Sequence, residues 1–410
     1  MMTTGRHVVS RLSSLVSRRE ASTRDERRHA RWGVSNERGV ALLIVLAIVA
    51  LLTITVTEFT YSVQIDQHRT RNALHALQSQ LLARSGVNLA EGFLMLDEEP
   101  AYDAYTEDWW LQLREFCQGL HLDESMRIRC RVRDESGKLN INNTKAPPRV
   151  IASQAVTGPH VLRDAMKCMF QRRGIDVDIV DKLKEYWQQD PPENADGEKM
   201  QIPEFTSLED FGATFGIPAE LLHQLRNVLT AQPARLLPNI NINTAPSEVL
   251  AAVLNADSPS CPDGDAPIED IVARQVDIDQ PFRSTGDINS VVQGGDNVDI
   301  KRRLFGVRSR LYRLEASAQT NIDPTNLTSG GIGQTLSVLV SRQQGAPPRG
   351  QQPQMGPNGK PLPTWTLRPL DWQKEGGARL FRTVPEEDEQ NLPGNPDSQE
   401  ERDDDADEMD

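Results

Sequence analysis

The chain has 410 residues and a net charge of −14, with 45 Lys and Arg against 59 Asp and Glu. That is enough for two folded units beside an anchor, and an acidic body argues against nonspecific nucleic-acid binding. The charge is uneven: residues 1–39 hold nine Arg and four acids, a local +5, which leaves −19 for the rest.

Residues 1–36 are rich in Arg, Ser and His without apolar periodicity, and read as a disordered cytoplasmic leader. The stretch Glu37–Val56 follows: E-R-G, then 17 residues without charge and with two hydroxyls, Thr53 and Thr55. As a helix those residues cover about 25 Å, and Thr57 can extend the span toward a ~30 Å hydrocarbon core. Threonine hydroxyls can bond back to the helix backbone, so they do not spoil it. Arginines on its N-terminal side keep that end in the cytoplasm and send the remainder across the membrane. The span ends T-V-T-E-F-T-Y, without the small-residue cleavage site of a secretory signal. The small residue, Gly39, stands on the other side, between the charges and the apolar core.

The helix is expected to run on to Leu96, about 85 Å in all. Val63, Thr70, Leu74, Leu77 and Leu81 fall on one face, which Leu89, Ala90, Phe93 and Leu94 resume. Residues 97–125 are acidic and aromatic, with a short helix at 107–118. M-R-I-R-C-R-V-R (126–133) alternates as a half-buried strand with four Arg outward. That basic face is either a solvated surface or a contact for an acidic neighbour.

A repeat follows. K-L-N-I-N-N-T (138–144) and N-I-N-I-N-T-A-P (239–246) each precede a helix start, where Thr144 and Thr244 read as N-caps. Each copy continues with a helix, from Asp178 and from Glu269, and then with a related turn and helix, F-T-S-L-E-D-F from Phe205 and F-R-S-T-G-D-I from Phe282. Residues 145–305 thus read as an all-helical domain of two related bundles. Between its helices Asp190, Glu193, Asp196 and Glu198, interrupted by Pro and Gly, form an oxygen-rich loop of the kind a hard cation such as Ca²⁺ needs. The metal-free reading is an acidic solvated loop.

Strands return at 310–318, 335–341 and 364–372. A Gln/Gly/Pro hairpin loop lies at 343–363, and Pro369 suits an edge strand. Residues 386–410 hold thirteen acids and one Arg and are expected to be disordered. Four cysteines, Cys117, Cys130, Cys168 and Cys261, fit an oxidising compartment but are too few for a disulfide scaffold. Pairing cannot be read from the sequence. Cys117–Cys130 with Cys168–Cys261 would keep each bond inside one proposed domain. No catalytic constellation is present: His121, His160 and His223 are isolated, no serine sits in G-x-S-x-G, and the cysteines are not spaced for zinc. The protein is expected to act by assembly and not as an enzyme.

Taken in order, several of these features resemble a known family. A glycine before an uncharged core is the prepilin pattern. The fifth residue after it is Ile44, where most pilins carry glutamate. Asp134–Asn142 reads D-x-x-G-K-L-N-I-N, and the later segment N-I-N-T-A-P-x-E-V-L belongs to a helical insert. N-I-N-T-A also opens helix-hairpin-helix modules, but the glycine-rich hairpin those need is absent here. Over residues 37–320 the chain is similar to the K-type minor pseudopilins of type II secretion.

That resemblance implies an α+β fold: a pilin-like N-terminal helical spine, a small antiparallel sheet and a large all-helical domain inserted between its strands. It implies a leader at 1–39, a spine at 40–96, the pilin-like part at 97–144 and 306–372, the insert at 145–305 and a tail at 373–410. It also implies cleavage by a prepilin peptidase after Gly39, with possible N-methylation of Val40, and a place in the inner membrane through residues 40–57 with the C-terminal bulk in the periplasm. The implied partners are I-type and J-type minor pseudopilins and the inner-membrane secretion platform. The role is at the tip of a pseudopilus that exports folded proteins. Family members bind calcium in a W-x-D-x-D segment. Here Gln188 and Gln189 separate Trp187 from the first Asp. The alternative is a single-pass membrane-anchored periplasmic binding or scaffold protein with a helical repeat domain.

Overall fold

The computed structural model describes residues 37–376 except 119, 124, 146–157, 193–198, 259–260, 262–265, 294–296, 321–330, 346–354 and 356–360. The expected leader and the acidic 386–410 lie outside the described residues. The chain divides into two compact units, residues 1–68 and 69–410.

The first unit contributes the start of helix α1 (Glu37–Leu94). Its apolar side chains are exposed all round, from Val40 at 56% to Val56 at 61%, and an 18-residue window of the helix has a mean hydropathy of 2.9. A helix apolar on every face with nothing packed on it is built for lipid. Its hydroxyls do turn back to the backbone: Thr53 Oγ1 donates to the Val49 carbonyl at 2.8 Å and Thr55 Oγ1 to Leu52 at 2.9 Å.

The second unit begins inside the same helix. It continues with α2 (Asp108–Cys117), β1 (Leu120–Asp123), β2 (Met126–Asp134), β3 (Leu139–Asn140) and a 3₁₀ turn at Ile141–Thr144. Then come α3 (Gly158–Arg172), α4 (Asp178–Gln188), α5 (Leu208–Phe215), α6 (Ala219–Leu225) and β4 (Leu229–Thr230). They are followed by β5 (Ile240–Asn241), α7 (Ser247–Leu254), α8 (Ala266–Val276), α9 (Thr285–Val291), α10 (Val298–Leu304) and β6 (Phe305–Gly306). The chain closes with β7 (Leu311–Thr320), β8 (Ile332–Gly345) and β9 (Thr364–Gly376).

Five strands form one antiparallel sheet in the order β1-β2-β7-β8-β9. Everything from β3 to β6 is inserted between its neighbours β2 and β7. The alternation in β2 puts Ile128, Cys130 and Val132 inward, where they meet Tyr312, Leu314, Ala316, Val338 and Val340. The other side of that core is α1, but not through the leucines that its sequence advertises. Ala83, Val87, Ala90 and Leu94 are at most 1% exposed, whereas Leu74, Leu77, Leu81 and Leu89 stay 45–58% exposed. Small residues win because the helix lies close to the sheet: a Cβ on Gly86 would come within 3.0 Å of Ile128 and 3.1 Å of Ala316. Leu89 and Ala90 therefore belong to different faces. Pro369 sits on edge strand β9 beside a bulge opposite Leu339 and Val340.

The insert has its own core, built from α3 to α10. Its halves share one order, strand, four helices, strand, and each closes by a short parallel pair: β3 with β4, and β5 with β6. α3 packs on α7, and Arg173 bridges the halves by donating to both oxygens of Glu248 at 2.9 and 2.5 Å.

Candidate assembly surface

The asparagines of the N-I-N repeat hold the insert's two halves. All four are buried. Asn142 Nδ2 donates to the Phe205 carbonyl at 2.8 Å and its Oδ1 accepts from the Phe205 N–H at 2.9 Å. Asn243 makes the same reciprocal pair with Phe282, at 2.9 and 2.9 Å. Each clasped phenylalanine opens a capped helix. Asp210 Oδ2 accepts from the Thr206 N–H at 3.2 Å, and Asp287 Oδ2 from the Arg283 N–H at 2.9 Å. The motif is therefore a structural latch, with all four amides bonded to groups of the chain itself.

Thr244 is not an N-cap, and the helix start expected after Thr144 lies outside the described residues. Thr144 Oγ1 donates to the Ile141 carbonyl and accepts from the Trp187 indole at 3.0 Å. α7 starts after Pro246 without a side-chain cap, and Thr244 Oγ1 donates to Asp134 at 2.5 Å. The buried Asp134 carboxylate also accepts from the Ser309 hydroxyl and the Ser136 N–H. Burial pushes its pKa up while these donors pull it down, leaving a net rise. A Cβ on Gly137 would fall 2.5 Å from the Thr244 carbonyl oxygen, so glycine is what lets the loop after β2 pass the insert.

A second junction fixes the acidic turn after α1. Arg342 on β8 is buried and pairs with Asp97 at 2.9 Å and with Asp103. Its guanidinium lies over Trp365, Tyr312 and Trp109, with 4.4 Å to the nearest ring. Burial lowers Arg342 to about 10, so it stays charged at neutral pH. Nearby Glu107 is pushed up to about 8 by burial and then by the Asp97 charge. No sequence pattern marks Arg342. Its only signal is a lone cation at the end of an apolar strand in a chain whose 97–107 turn is acidic.

The outer sheet face carries the β2 arginines. It is not a bare solvated surface. Arg127 Nε donates to Gln319 at 2.8 Å, Arg129 Nε to the Gln118 carbonyl at 3.3 Å, and Arg133 Nη1 to Asn227 at 2.7 Å. Between this face and the first half of the insert runs a groove of about 790 Å³. On its floor Glu135 is bonded to Lys138 at 2.7 Å and to Arg313 at 3.2 Å. Burial would raise Glu135, but these two cations hold it down at about 2.

No family model matches the chain. The type II secretion system protein K of Pseudomonas aeruginosa is 27% identical to it over 243 residues, covering 54% of this chain and 69% of that protein. The chain resembles the K-type minor pseudopilins. A chain of the crystal structure of the GspK-GspI-GspJ complex from the enterotoxigenic Escherichia coli type 2 secretion system superposes with a TM-score of 0.49 at 15% identity, over 75% of this chain and all of that one.

The K-type site residues stand as follows. Gly39 lies in the first turn of α1, where a Cβ would meet nothing within 4 Å, and Val40 is exposed. Cys117 is joined to Cys130, which fastens α2 to β2, and Cys168 to Cys261, which fastens α3 to the loop after α7. Asp190 is exposed just beyond α4. Glu193, Asp196 and Glu198 lie outside the described residues. The ends of their loop are drawn together where the Met200 N–H donates to the Pro192 carbonyl at 2.7 Å. The exposed leucines Leu74, Leu77 and Leu81 form an apolar stripe on α1 that faces away from the sheet.

Proposed function

We propose that the chain is a K-type minor pseudopilin at the tip of a type II secretion pseudopilus, where it starts assembly with I-type and J-type minor pseudopilins and helps export folded proteins across the outer membrane. The observation that carries this reading is α1 itself. It starts as an unpacked helix of mean hydropathy 2.9 and ends packed by small residues on a sheet split by a large insert. A plain anchor needs neither that continuity nor a glycine at position 39. Cleavage after Gly39 by the prepilin peptidase would make Val40 the first residue, open to N-methylation, with the helix in the inner membrane and the bulk in the periplasm. Ile44 fits a subunit with no neighbour above it, because a carboxylate in the apolar layer is costly without a partner. The Leu74, Leu77 and Leu81 stripe is the face offered to neighbouring spines. The insert blocks addition beyond the tip.

The oxygen-rich loop, with Asp190, Glu193, Asp196 and Glu198, is the proposed Ca²⁺ ligand set. Calorimetric titration of detergent-solubilised protein with Ca²⁺ is expected to give saturable binding that Asp196→Asn weakens. A flat titration removes the metal from the proposal.

Mass spectrometry of the N-terminus, from membranes with and without the prepilin peptidase, tests the reading. A chain that begins at Val40 only when the peptidase is present supports it. A chain that keeps residues 1–39 in both cases leaves the membrane-anchored scaffold reading. Deletion of 145–305 tests the tip. Copies of that variant found along the filament shaft are the expected result, and their absence from the shaft argues against a blocking role.

A further inference from the structure

The groove between the outer sheet face and the insert has no role in the proposed assembly. Its lining carries six Arg and Lys against four Asp and Glu, an excess of positive charge in a chain whose net charge is −14. Two of the four acids are engaged already, Glu135 with Lys138 and Arg313, and Glu209 with Arg226 at 2.6 Å, which leaves three Arg against Glu315 and Asp371. Arg133 meets the neutral amide of Asn227. Arg235 is exposed and has no carboxylate partner among the described residues. On the sheet side the Ser337 hydroxyl is 5% exposed and lacks a hydrogen-bond partner among the described residues. An unanswered hydroxyl in the same groove as the guanidinium groups of Arg133 and Arg235 is complementary to carboxylates.

We infer that this groove receives the chain's own acidic segment, residues 386–410. Those 25 residues hold thirteen acids and one Arg. Strand β9 lines the groove through Asp371 and Gln373 and ends at Gly376, three residues later. The ten residues from there to Glu386 span about 33 Å when extended, ample for a return to the groove. Attachment to the same chain gives the segment an effective concentration in the millimolar range, so individually weak carboxylate–Arg contacts suffice. An occupied groove would cover the β2 arginine face and keep acidic partners off it.

The test is made on the detergent-solubilised full chain. Arg235→Lys places an amine at the groove mouth, and carbodiimide couples carboxylates to it. An equal mixture of ¹⁴N- and ¹⁵N-labelled chains separates links within one chain from links between two. The expected result is coupling of residues 386–410 to position 235 within one chain. Arg133→Glu and, separately, 1 M NaCl are each expected to lower it roughly tenfold, the weight of one charge-assisted contact. The salt arm keeps the test independent of any folding defect in Arg133→Glu. Coupling only between chains overturns the inference in favour of a second copy. Coupling at Lys374 without coupling at 235, or coupling at 235 that neither salt nor Arg133→Glu changes, overturns it as well.

Discussion

In the first half of the insert the N-I-N amides stay at home, and in the second one of them reaches out. Asn140 and Asn142 both donate to the Gln232 carbonyl, within their own half, at 2.9 and 2.9 Å. Asn241, at the place of Asn140, donates instead to the Asp103 carbonyl at 2.9 Å and the Ser309 hydroxyl at 2.6 Å, both outside the insert. Thr144 serves Trp187 next door, whereas Thr244 serves Asp134 at the end of β2. The Asn241 N–H adds a bond to the Ser136 carbonyl at 2.8 Å. One repeated segment thus does two jobs. Its latch on the following F-x-S turn is kept in both halves, because that latch satisfies buried backbone groups which would otherwise cost free energy. The positions beside the latch have diverged, so in one half the repeat itself fastens the insert to the sheet and in the other it does not.

The strongest way to break this difference is Asp134→Ala. It leaves the hydroxyls of Thr244 and Ser309 without their buried acceptor and is expected to cost about 3–5 kcal/mol. Native-state hydrogen exchange gives the sharper reading. Protection should fall at the amides of Asn241 and Thr244 and hold at Asn142. Equal loss in both halves would mean that the insert and sheet unfold as one unit and that the second half is no special anchor.

Asn142→Ala and Asn243→Ala probe what the halves share. Each removes a reciprocal pair and strands one buried N–H and one buried C=O of a phenylalanine, so each should cost about 2–4 kcal/mol. Urea unfolding of the two variants is expected to give similar losses. A gap of more than about 1.5 kcal/mol would show that the latch too has diverged.

Much of this was legible in the sequence, and the reason is period. The alternation at 126–133, the order of the strands around the insert and the repeat itself all follow from local pattern. What stayed hidden depends on partners far along the chain. The leucines of α1 look like its core face, yet the sheet takes the face of Ala83, Val87, Ala90 and Leu94, where Gly86 and the alanines let the helix come close. Thr244 has the sequence of an N-cap, but Asp134, 110 positions away, claims its hydroxyl. β4 and β6 are two residues each, too short for any period to show. Arg342 carries no motif at all. The cleavage position could be chosen only from the charge-glycine-apolar order, and the acids of the candidate metal loop only from composition.

The turn that Asn241 grips contains Glu107, and this gives the anchored side a pH signature. Its carboxyl titrates near 8 in the folded protein against 4.5 ordinarily. Between those values the native state holds a proton that the unfolded chain has released, so the group's contribution falls as pH rises from about 4.5 to 8. Glu135, held at about 2, contributes stability that is lost only as pH falls below about 4.5. Asp97 and Asp134 are raised by burial as well, so the wild-type slope is shared and the variant difference isolates Glu107. Glu107→Gln should raise the midpoint of thermal unfolding at pH 8, by about 2 kcal/mol in equivalent stability, and change little at pH 5. An equal gain at both pH values would mean that the carboxyl is ionised throughout.

The smallest expected effect divides the two threonines. Valine keeps their shape, so neither Thr144→Val nor Thr244→Val opens a cavity, and each loss is that of a hydroxyl alone. In the first half the Trp187 indole N–H loses its acceptor inside the core, which should cost about 1–2 kcal/mol. In the second half Asp134 keeps its donors from Ser309 and the Ser136 backbone, so the loss should stay below about 1 kcal/mol. The order is therefore the reverse of the anchoring roles: the threonine at the junction matters less singly because its carboxylate is shared. If Thr244→Val proved the more costly, Asp134 would depend on that one hydroxyl, and the anchor would be a single bond, not a network.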